Sequence, residues 1–278
     1  MTTNFDKNTL VAFLGPRGTF SEIAVRQHFG DAIEISACKT IDEVFASVES
    51  QRCHYGVVPV ENSTEGAVNN TQDCLIDSQL HITGEQVVVI DHCLLAQPGV
   101  ELSEMQTIAS HQQSLAQCRK WLSANLPAVK LVECTSNAEA ARIAQADKHT
   151  AAIAGALAAD IYGLNILARK IQDQPHNSTR FLILGNTATS RTGNDKTSIL
   201  IYTENRPGAL FRILEPFENL GVSLTRIETR PSKKEAWAYV FFIDFEGHVE
   251  DKIVKELFSR LQACTAEIKV LGSYPRAK

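Results

Sequence analysis

The chain has 278 residues, 44% of them hydrophobic, and a formal net charge of −5. That length allows two domains at roughly 100–200 residues each, and the apolar fraction is ordinary for a globular protein with real cores. Residues 1–195 carry −7 and residues 196–278 carry +2, so neither part has the basic stripe of a nucleic-acid binder, and an anion bound by the first part must be held by local donors.

Seven cysteines are dispersed with no C-x-x-C pair, which argues against a disulfide framework or a zinc site and for a reducing cytoplasm. Residues 1–9 lack the basic and apolar regions of a signal peptide, and no apolar run approaches the ~20 residues of a membrane span. The expectation is a soluble, cytoplasmic protein with no membrane partner.

Leu10–Leu14 reads as a first strand, followed by the tight turn Gly15-Pro16-Arg17-Gly18-Thr19-Phe20-Ser21, which opens a helix that Gly30 stops. Such a turn places backbone N–H groups and the Thr19 and Ser21 hydroxyls at a helix N-terminus, either as an anion site or as plain capping. It has neither G-x-G-x-x-G nor a Walker lysine, so nucleotide binding has little support. Ile33–Ala37 is a second strand, and Thr40-Ile41-Asp42-Glu43 is a capping box whose helix buries Ile41, Val44, Phe45 and Val48.

Tyr55–Val60 is short, apolar and rich in β-branched residues, the mark of a buried strand. Glu61, Asn62, Ser63, Thr64 and a permissive Gly66 follow where that strand should end. They are either a turn that caps the next helix, around 67–76, or the lining of a crevice at the carboxyl end of an open α/β sheet. Gln86–Ile90 and Cys93–Ala96 are strands leaving this first lobe, whose strand–helix alternation builds a parallel sheet.

A second lobe repeats the theme. Thr107–Ala109 is a strand that turns at Ser110-His111-Gln112-Gln113 into a helix burying Leu115, Cys118 and Leu122. Ser110, His111 and Gln117 can share a face there, with His111 in a structural role. Val129–Val132 and Ala151–Gly155 are further strands, and Ser136-Asn137-Ala138-Glu139 caps a helix between them. Ile166–Ala168 carries the chain back towards the first lobe, and Asn177-Ser178-Thr179-Arg180 leads into the apolar strand ending at Gly185. Two lobes joined by crossing chain imply a ligand cleft at their boundary.

Asn186–Asp195 is small and polar and reads as a linker. Beyond it the elements run strand 197–202, turn 205–210, helix to Leu220, broken or kinked near Pro216 unless that proline lies early enough to be tolerated, strands 223–230 and 236–245, helix 252–261 and strand 267–271. This β-α-β-β-α-β order is the ferredoxin-like pattern.

Taken together these stretches closely resemble prephenate dehydratase, with a catalytic region followed by an ACT regulatory domain. The resemblance rests, in order, on Gly15–Ser21, Pro59-Val60-Glu61-Asn62-Ser63-Thr64-Glu65-Gly66, Ser110–Gln113 with Gln117-Cys118, Thr179-Arg180-Phe181, Gly208-Ala209-Leu210-Phe211 and Glu228-Thr229-Arg230-Pro231. Gln112 stands where the family usually has proline, Thr229 where it has serine, and Phe211 where an aliphatic residue is common. Strand one begins by Leu10, before which no chorismate mutase helices fit, so the chain looks monofunctional.

The resemblance implies an α/β architecture with two catalytic lobes like those of periplasmic binding proteins, over 8–185 with the second lobe at about 95–170. A linker at 186–195 and a ferredoxin-like ACT domain at 196–278 complete it. The implied reaction converts prephenate to phenylpyruvate, water and carbon dioxide with no cofactor and no metal, because aromatisation drives it. Thr179 is implied as donor to the leaving hydroxyl; a threonine is a feeble acid, so electrostatics and positioning are its expected part. Glu61 is either a proton source, if burial raises its pKa, or a structural carboxylate. Thr19, Ser21, Asn62, Ser63, Ser110 and Gln117 are the implied substrate-binding set, with Arg180 either on a substrate carboxylate or holding the hinge. In the ACT region Asn205, Gly208, Ala209, Leu210, Glu228, Thr229, Arg230 and Pro231 are the implied L-phenylalanine site, in a homodimer or homotetramer. Arogenate dehydratase uses the same motifs on an aminated substrate, and a two-lobed amino-acid sensor without chemistry is the rival from another class.

Overall fold

Five consecutive apolar residues at Leu10–Leu14 form β1, with Val11, Ala12 and Phe13 wholly buried. The computed structural model describes residues 5–203, 206–232 and 239–277. From β1 the chain runs through α1 (Phe20–Phe29), β2 (Glu34–Cys38), α2 (Ile41–Glu49), β3 (Tyr55–Asn62), β4 (Gly66–Ala67), α3 (Asn69–Asp77) and β5 (His81–Val89). Gly30 ends α1 at φ 78°, and α2 buries the four apolar residues its spacing predicts. The α2 capping box is half reciprocal: Thr40 Oγ1 accepts the Glu43 N–H at 3.1 Å, but the Glu43 carboxylate takes the N–H of Lys39.

The second lobe contains β6 (Cys93–Ala96), β7 (Thr107–His111), α4 (Gln112–Gln117), α5 (Arg119–Asn125), β8 (Lys130–Cys134), α6 (Asn137–Ala146), β9 (Thr150–Ala154), α7 (Ala156–Tyr162) and β10 (Asn165–Ala168). Its sheet has the order β10-β6-β9-β7-β8, with β7 parallel to both neighbours and β6 antiparallel to both of its own. Small alanines (140, 141, 144, 152, 154, 158 and 159) fill the core between that sheet and α6 and α7, allowing helix and strand to approach closely. The chain returns as β11 (Ser178–Gly185), and the first-lobe sheet has the order β2-β1-β3-β11-β5, with β4 paired to β3. Strands β2 and β3 lie parallel to β1.

The last part forms β12 (Asp195–Tyr202), α8 (Ala209–Leu220), β13 (Leu224–Pro231), β14 (Tyr239–Glu246), α9 (Lys252–Gln262) and β15 (Glu267–Pro275). The sheet order β13-β14-β12-β15, antiparallel throughout, is the ferredoxin-like arrangement. Ile199, Ile201, Phe217, Phe245, Leu257 and Leu261 are among its core. Helix α8 runs through Pro216 rather than breaking there. Pro216 is buried on the same side of the helix as Ile213 and Phe217, and burial there counters the roughly 3 kcal/mol an interior proline costs.

Contacts divide the chain into two compact units. One holds the chain through Thr71 and again Gln86–Phe181; the other holds Gln72–Glu85 and the chain from Leu182 onward. In the second unit the stretch 186–195 is tied down: Thr189 donates to the Ser273 carbonyl, and buried Asp195 accepts the Thr192 and Gly193 N–H groups at 2.8 and 2.9 Å. Among the described residues no helix is long and apolar enough to cross a membrane.

Candidate active site

Strand β3 continues two residues past its apolar run and then folds back on β4, pairing Asn62 with Gly66. Gly66 has φ 83°, the left-handed conformation such a reversal needs. The hairpin is held by Asn62, whose Oδ1 accepts the backbone N–H of Thr64 at 2.9 Å and of Glu65 at 3.0 Å. Its amide nitrogen donates to Thr179 Oγ1 and to Asn177 Oδ1, each at 2.9 Å. Asn177 donates in turn to Gln117 Oε1 at 3.1 Å, and the His92 ring nitrogen Nε2 lies 2.9 Å from that same oxygen. Gln117 Nε2 reaches the Glu65 carboxylate at 3.3 Å. Asn177, Thr179 and His92 are all nearly inaccessible to solvent. Burial pushes the His92 imidazole below its ordinary range, an effect its Gln117 bond only partly opposes.

These side chains form one wall of a cavity of about 610 Å³ in the first unit. Facing them are Thr19, Phe20 and Ser21 at the start of α1, and Ser136 and Asn137 at the start of α6. Ser136 caps α6 with its own hydroxyl at 3.0 Å, whereas Thr19 makes no side-chain cap and leaves the first-turn N–H groups of α1 to another acceptor. Both helices have ten residues and direct the positive ends of their dipoles to this place. Lys39 is the lysine or arginine among the lining residues. Glu65 sets a carboxylate on the same lining.

The glycine turn is not wholly free for a ligand. Gly18, at φ 85°, gives its N–H to Glu22 Oε2 at 2.8 Å. Glu22 is fully buried and also holds the guanidinium groups of Arg17 and Arg26 at 2.9 and 2.8 Å. Burial alone would raise its pKa, but the bonds from Arg17, Gly18 and Arg26 outweigh that and hold it below the usual carboxylate range.

Of the residues singled out in the sequence, Thr19, Ser21, Asn62, Gln117 and Thr179 line the cavity together. Ser63, Glu61, Ser110 and Arg180 do not. Strand alternation explains Glu61 and Arg180, since each neighbours a lining residue and so points to the other face. They approach each other at 3.9 Å, and the Glu61 side chain is 42% exposed. Ser63 stitches β3 to β11, accepting the Ser178 N–H at 2.9 Å. Ser110 is wholly buried, 2.7 Å from the Ile153 carbonyl and 3.0 Å from Asn137 Oδ1, and so supports Asn137 from behind. His111 caps α4 through Nδ1 and also lies on the cavity lining.

His92, Asn177, Glu65 and Asn137 were not singled out. Asn177 was within reach, two residues before Thr179, and Asp91-His92 interrupts an apolar run between two strands. Nothing local marks either as facing Gln117, because their contacts span 25 and 60 residues of chain.

The family model described as prephenate dehydratase matches residues 11–189, which include the whole cavity lining. The chain belongs to the prephenate dehydratase family. The ACT domain model matches residues 197–262. The bifunctional chorismate mutase/prephenate dehydratase of Pseudomonas aeruginosa is 49% identical over 96% of this chain and 73% of its own length. Among solved structures, the prephenate dehydratase of Arthrobacter aurescens in complex with L-Phe is 38% identical, with a TM-score of 0.89 over 96% of this chain and 90% of its own. GqqA, described as a novel type of quorum quenching acylases, is 30% identical, with a TM-score of 0.88 over 96% and 98%.

In the ACT domain of this prephenate dehydratase family member, Gly208 takes φ 76° at the start of α8, with Ala209 and Leu210 in its first turn. Glu228, Thr229, Arg230 and Pro231 lie on β13, an outer strand of the sheet. Arg230 is held by Asp73 at 2.7 Å, within the second unit. Asn205 lies outside the described residues. Among the described residues no group of three or more His, Cys, Asp or Glu side chains has metal-binding proximity.

Proposed function

We propose that this cavity is where prephenate loses water and carbon dioxide to give phenylpyruvate, with Thr179 as donor to the departing hydroxyl. The observation that carries the reading is the Asn62 N–H on Thr179 Oγ1 at 2.9 Å. That bond occupies an acceptor site on the oxygen and leaves the hydroxyl hydrogen for a ligand. Among the described residues the Thr179 hydroxyl has no acceptor of its own. Prephenate brings two carboxylates, and the uncapped first turn of α1, the start of α6 and Lys39 favour negative charge. The departing carboxylate needs weaker solvation than the one retained, so the firm anion site and Thr179 serve opposite ends of the substrate. Thr19, Ser21, Asn62 and Gln117 bind in this scheme. Glu61, Ser63, Ser110 and Arg180 act from outside the lining: Ser110 through Asn137, Ser63 through β11, Glu61 and Arg180 through each other.

The test is one assay with three substrates. Phenylpyruvate from prephenate supports the reading, and phenylalanine from arogenate at higher kcat/KM would move it to the aminated substrate. An acyl-amide substrate covers the activity attributed to GqqA. Amide hydrolysis needs an activated nucleophile, and the partner of the Thr179 hydroxyl here is an amide N–H rather than a base.

Regulation by L-phenylalanine is supported by the relative solved with L-Phe, and the sequence motifs put its site at α8 and β13. The first turn of α8 leaves Leu210 and Phe211 exposed, and Ile227 is exposed on outer strand β13. An unpaired strand edge with apolar neighbours favours pairing with a second copy, which supports a homodimer or homotetramer. Calorimetry with L-phenylalanine and sedimentation at several concentrations check both points. The seven cysteines are free thiols, which suits a reducing cytoplasm.

A further inference from the structure

Two backbone N–H groups determine the direction of the hydrogen bonds that run from Asn62 to His92. The oxygen and nitrogen of a side-chain amide are assigned from neighbours of known polarity. Asn62 Oδ1 faces the backbone nitrogens of Thr64 and Glu65, which can only donate. Asn62 Nδ2 must then serve Thr179 Oγ1 and Asn177 Oδ1. Asn177, accepting on its oxygen, donates from its nitrogen to Gln117 Oε1. Gln117 Oε1 is therefore an acceptor, and the His92 Nε2 beside it at 2.9 Å must carry a hydrogen. Neutral His92 is thus the Nε2–H tautomer, and its Nδ1 is a buried lone pair with no partner among the described residues. The ring is held in place by the edge of Phe20, centroid to centroid 5.7 Å, and the His92 N–H by Gln172 Oε1 at 3.0 Å.

We infer that His92 is a positioning residue for the dehydration: its Nε2–H holds Gln117 against Asn177 and so steadies the Asn177–Asn62 pair that sets the Thr179 hydroxyl for donation into the cavity. The inference rests on the reading of Thr179 as donor to the departing hydroxyl. His92 sits at the far end of the relay, two residues removed from Asn62, and holds the one amide whose own nitrogen faces Glu65. Without the imidazole donor, Gln117 Oε1 keeps only the Asn177 N–H of its two donors, and the side chain is held less firmly where it meets Asn177. The part played by His92 needs only a hydrogen on Nε2, which both the neutral ring and the imidazolium possess. A general acid at the same place would have to give that hydrogen up.

His92→Gln keeps an N–H donor close to the Nε2 position, whereas His92→Phe keeps the ring against Phe20 and removes the donor. The expected result is a fall of about ten-fold in kcat for His92→Phe, the worth of one well-placed hydrogen bond, with KM changed less. His92→Gln should recover most of that loss. In a Thr179→Val background, His92→Phe should cost no further kcat, because both act through one hydroxyl. Nitrogen chemical shifts of histidine-labelled full-length protein should show the Nε2–H tautomer at neutral pH, a readout that needs no variant to fold. Parental kcat in His92→Phe, failure of the glutamine to rescue, an additive loss in the double variant, or an Nδ1–H tautomer overturns the inference. Near-parental kcat in Thr179→Val alone removes the reading of Thr179 and leaves the tautomer assignment to be judged on its own shifts.

Discussion

At Thr179 a change of one atom tests the chemistry. Thr179→Val keeps the β-branched shape that suits β11 and removes only the hydroxyl. Turnover should fall about 10²–10³-fold, as when an enzyme loses one donor to developing charge, with a smaller change in KM. Steady-state kinetics beside a thermal melt checks this, and near-normal kcat in a folded variant would remove Thr179 from the mechanism. A second residue-scale prediction concerns pH. His28 packs its ring against Phe5 and Phe29, with centroids at 6.3 and 4.8 Å, and burial pushes its pKa down to about 4. The folded chain therefore keeps His28 neutral where the unfolded chain, at about 6.5, takes up a proton. Stability should be full above pH 6.5 and fall as pH drops from 6.5 towards 4, by about 3 kcal/mol at most. His28→Phe should flatten that part of the stability–pH curve in denaturant titrations; an unchanged slope would place its cause elsewhere.

Among the elements, β1, α2 and α6 were legible in the sequence because their signals are local: an apolar run, an apolar face at helical spacing, a serine or threonine three residues before glutamate. The hairpin of Asn62 was legible in composition but not in shape, since β3 runs through Glu61 and Asn62 before turning, and only strand alternation separates the residue facing the cavity from the one facing away. The relay joining residues 62, 92, 117, 177 and 179 was not legible as a relay. Its members come from different elements, and no periodicity encodes an amide's orientation. At Pro216 the sequence left break and tolerance both open, because tolerance depends on the core the proline enters. Helix α3 shows the same dependence at its ends. Near its start the buried Thr71 hydroxyl donates to the Pro59 carbonyl at 2.6 Å. At its end, in the second unit, Lys269 Nζ from β15 meets the carbonyls of Leu75, Ile76 and Ser78 at 3.1, 2.9 and 2.5 Å. A cation there satisfies terminal carbonyls and opposes the negative end of the helix dipole. Lys269→Met should cost about 1–2 kcal/mol in chemical denaturation. Arginine should recover only part of it, since three converging carbonyls suit a point charge better than a planar fork. A methionine variant as stable as the parent would show that water serves those carbonyls equally well.

For the whole molecule the consequence falls on truncation. Read as sequence, the polar stretch before Asp195 promises a clean cut, after which the catalytic part folds alone and loses only its response to L-phenylalanine. The division into units complicates that promise, because Gln72–Glu85 belongs with the chain from Leu182 onward. Within that unit Lys196 Nζ lies 2.9 Å from both oxygens of Glu85, and the two residues are 9% and 5% exposed. Backbone contact is equally close: a Cβ on Gly272 would come within 2.1 Å of the Ile82 carbonyl oxygen, so only glycine fits there. A chain ending at Asn194 loses these partners and returns Ile82 and Glu85 to water. We expect it to turn over prephenate while melting below the full chain, with residues 72–85 exchanging their amide hydrogens fastest. Lys196→Met in the full chain isolates one part of that loss. It takes the Lys196 cation from the buried Glu85 carboxylate, and breaking a buried pair costs about 3–5 kcal/mol, a large share of a typical folding stability of about 5–15 kcal/mol. Hydrogen exchange read by mass spectrometry separates the outcomes. If residues 72–85 stay protected in the truncated chain and its melting point matches the parent, the segment folds without the ACT domain, and the cut before Asp195 is as clean as the sequence suggests.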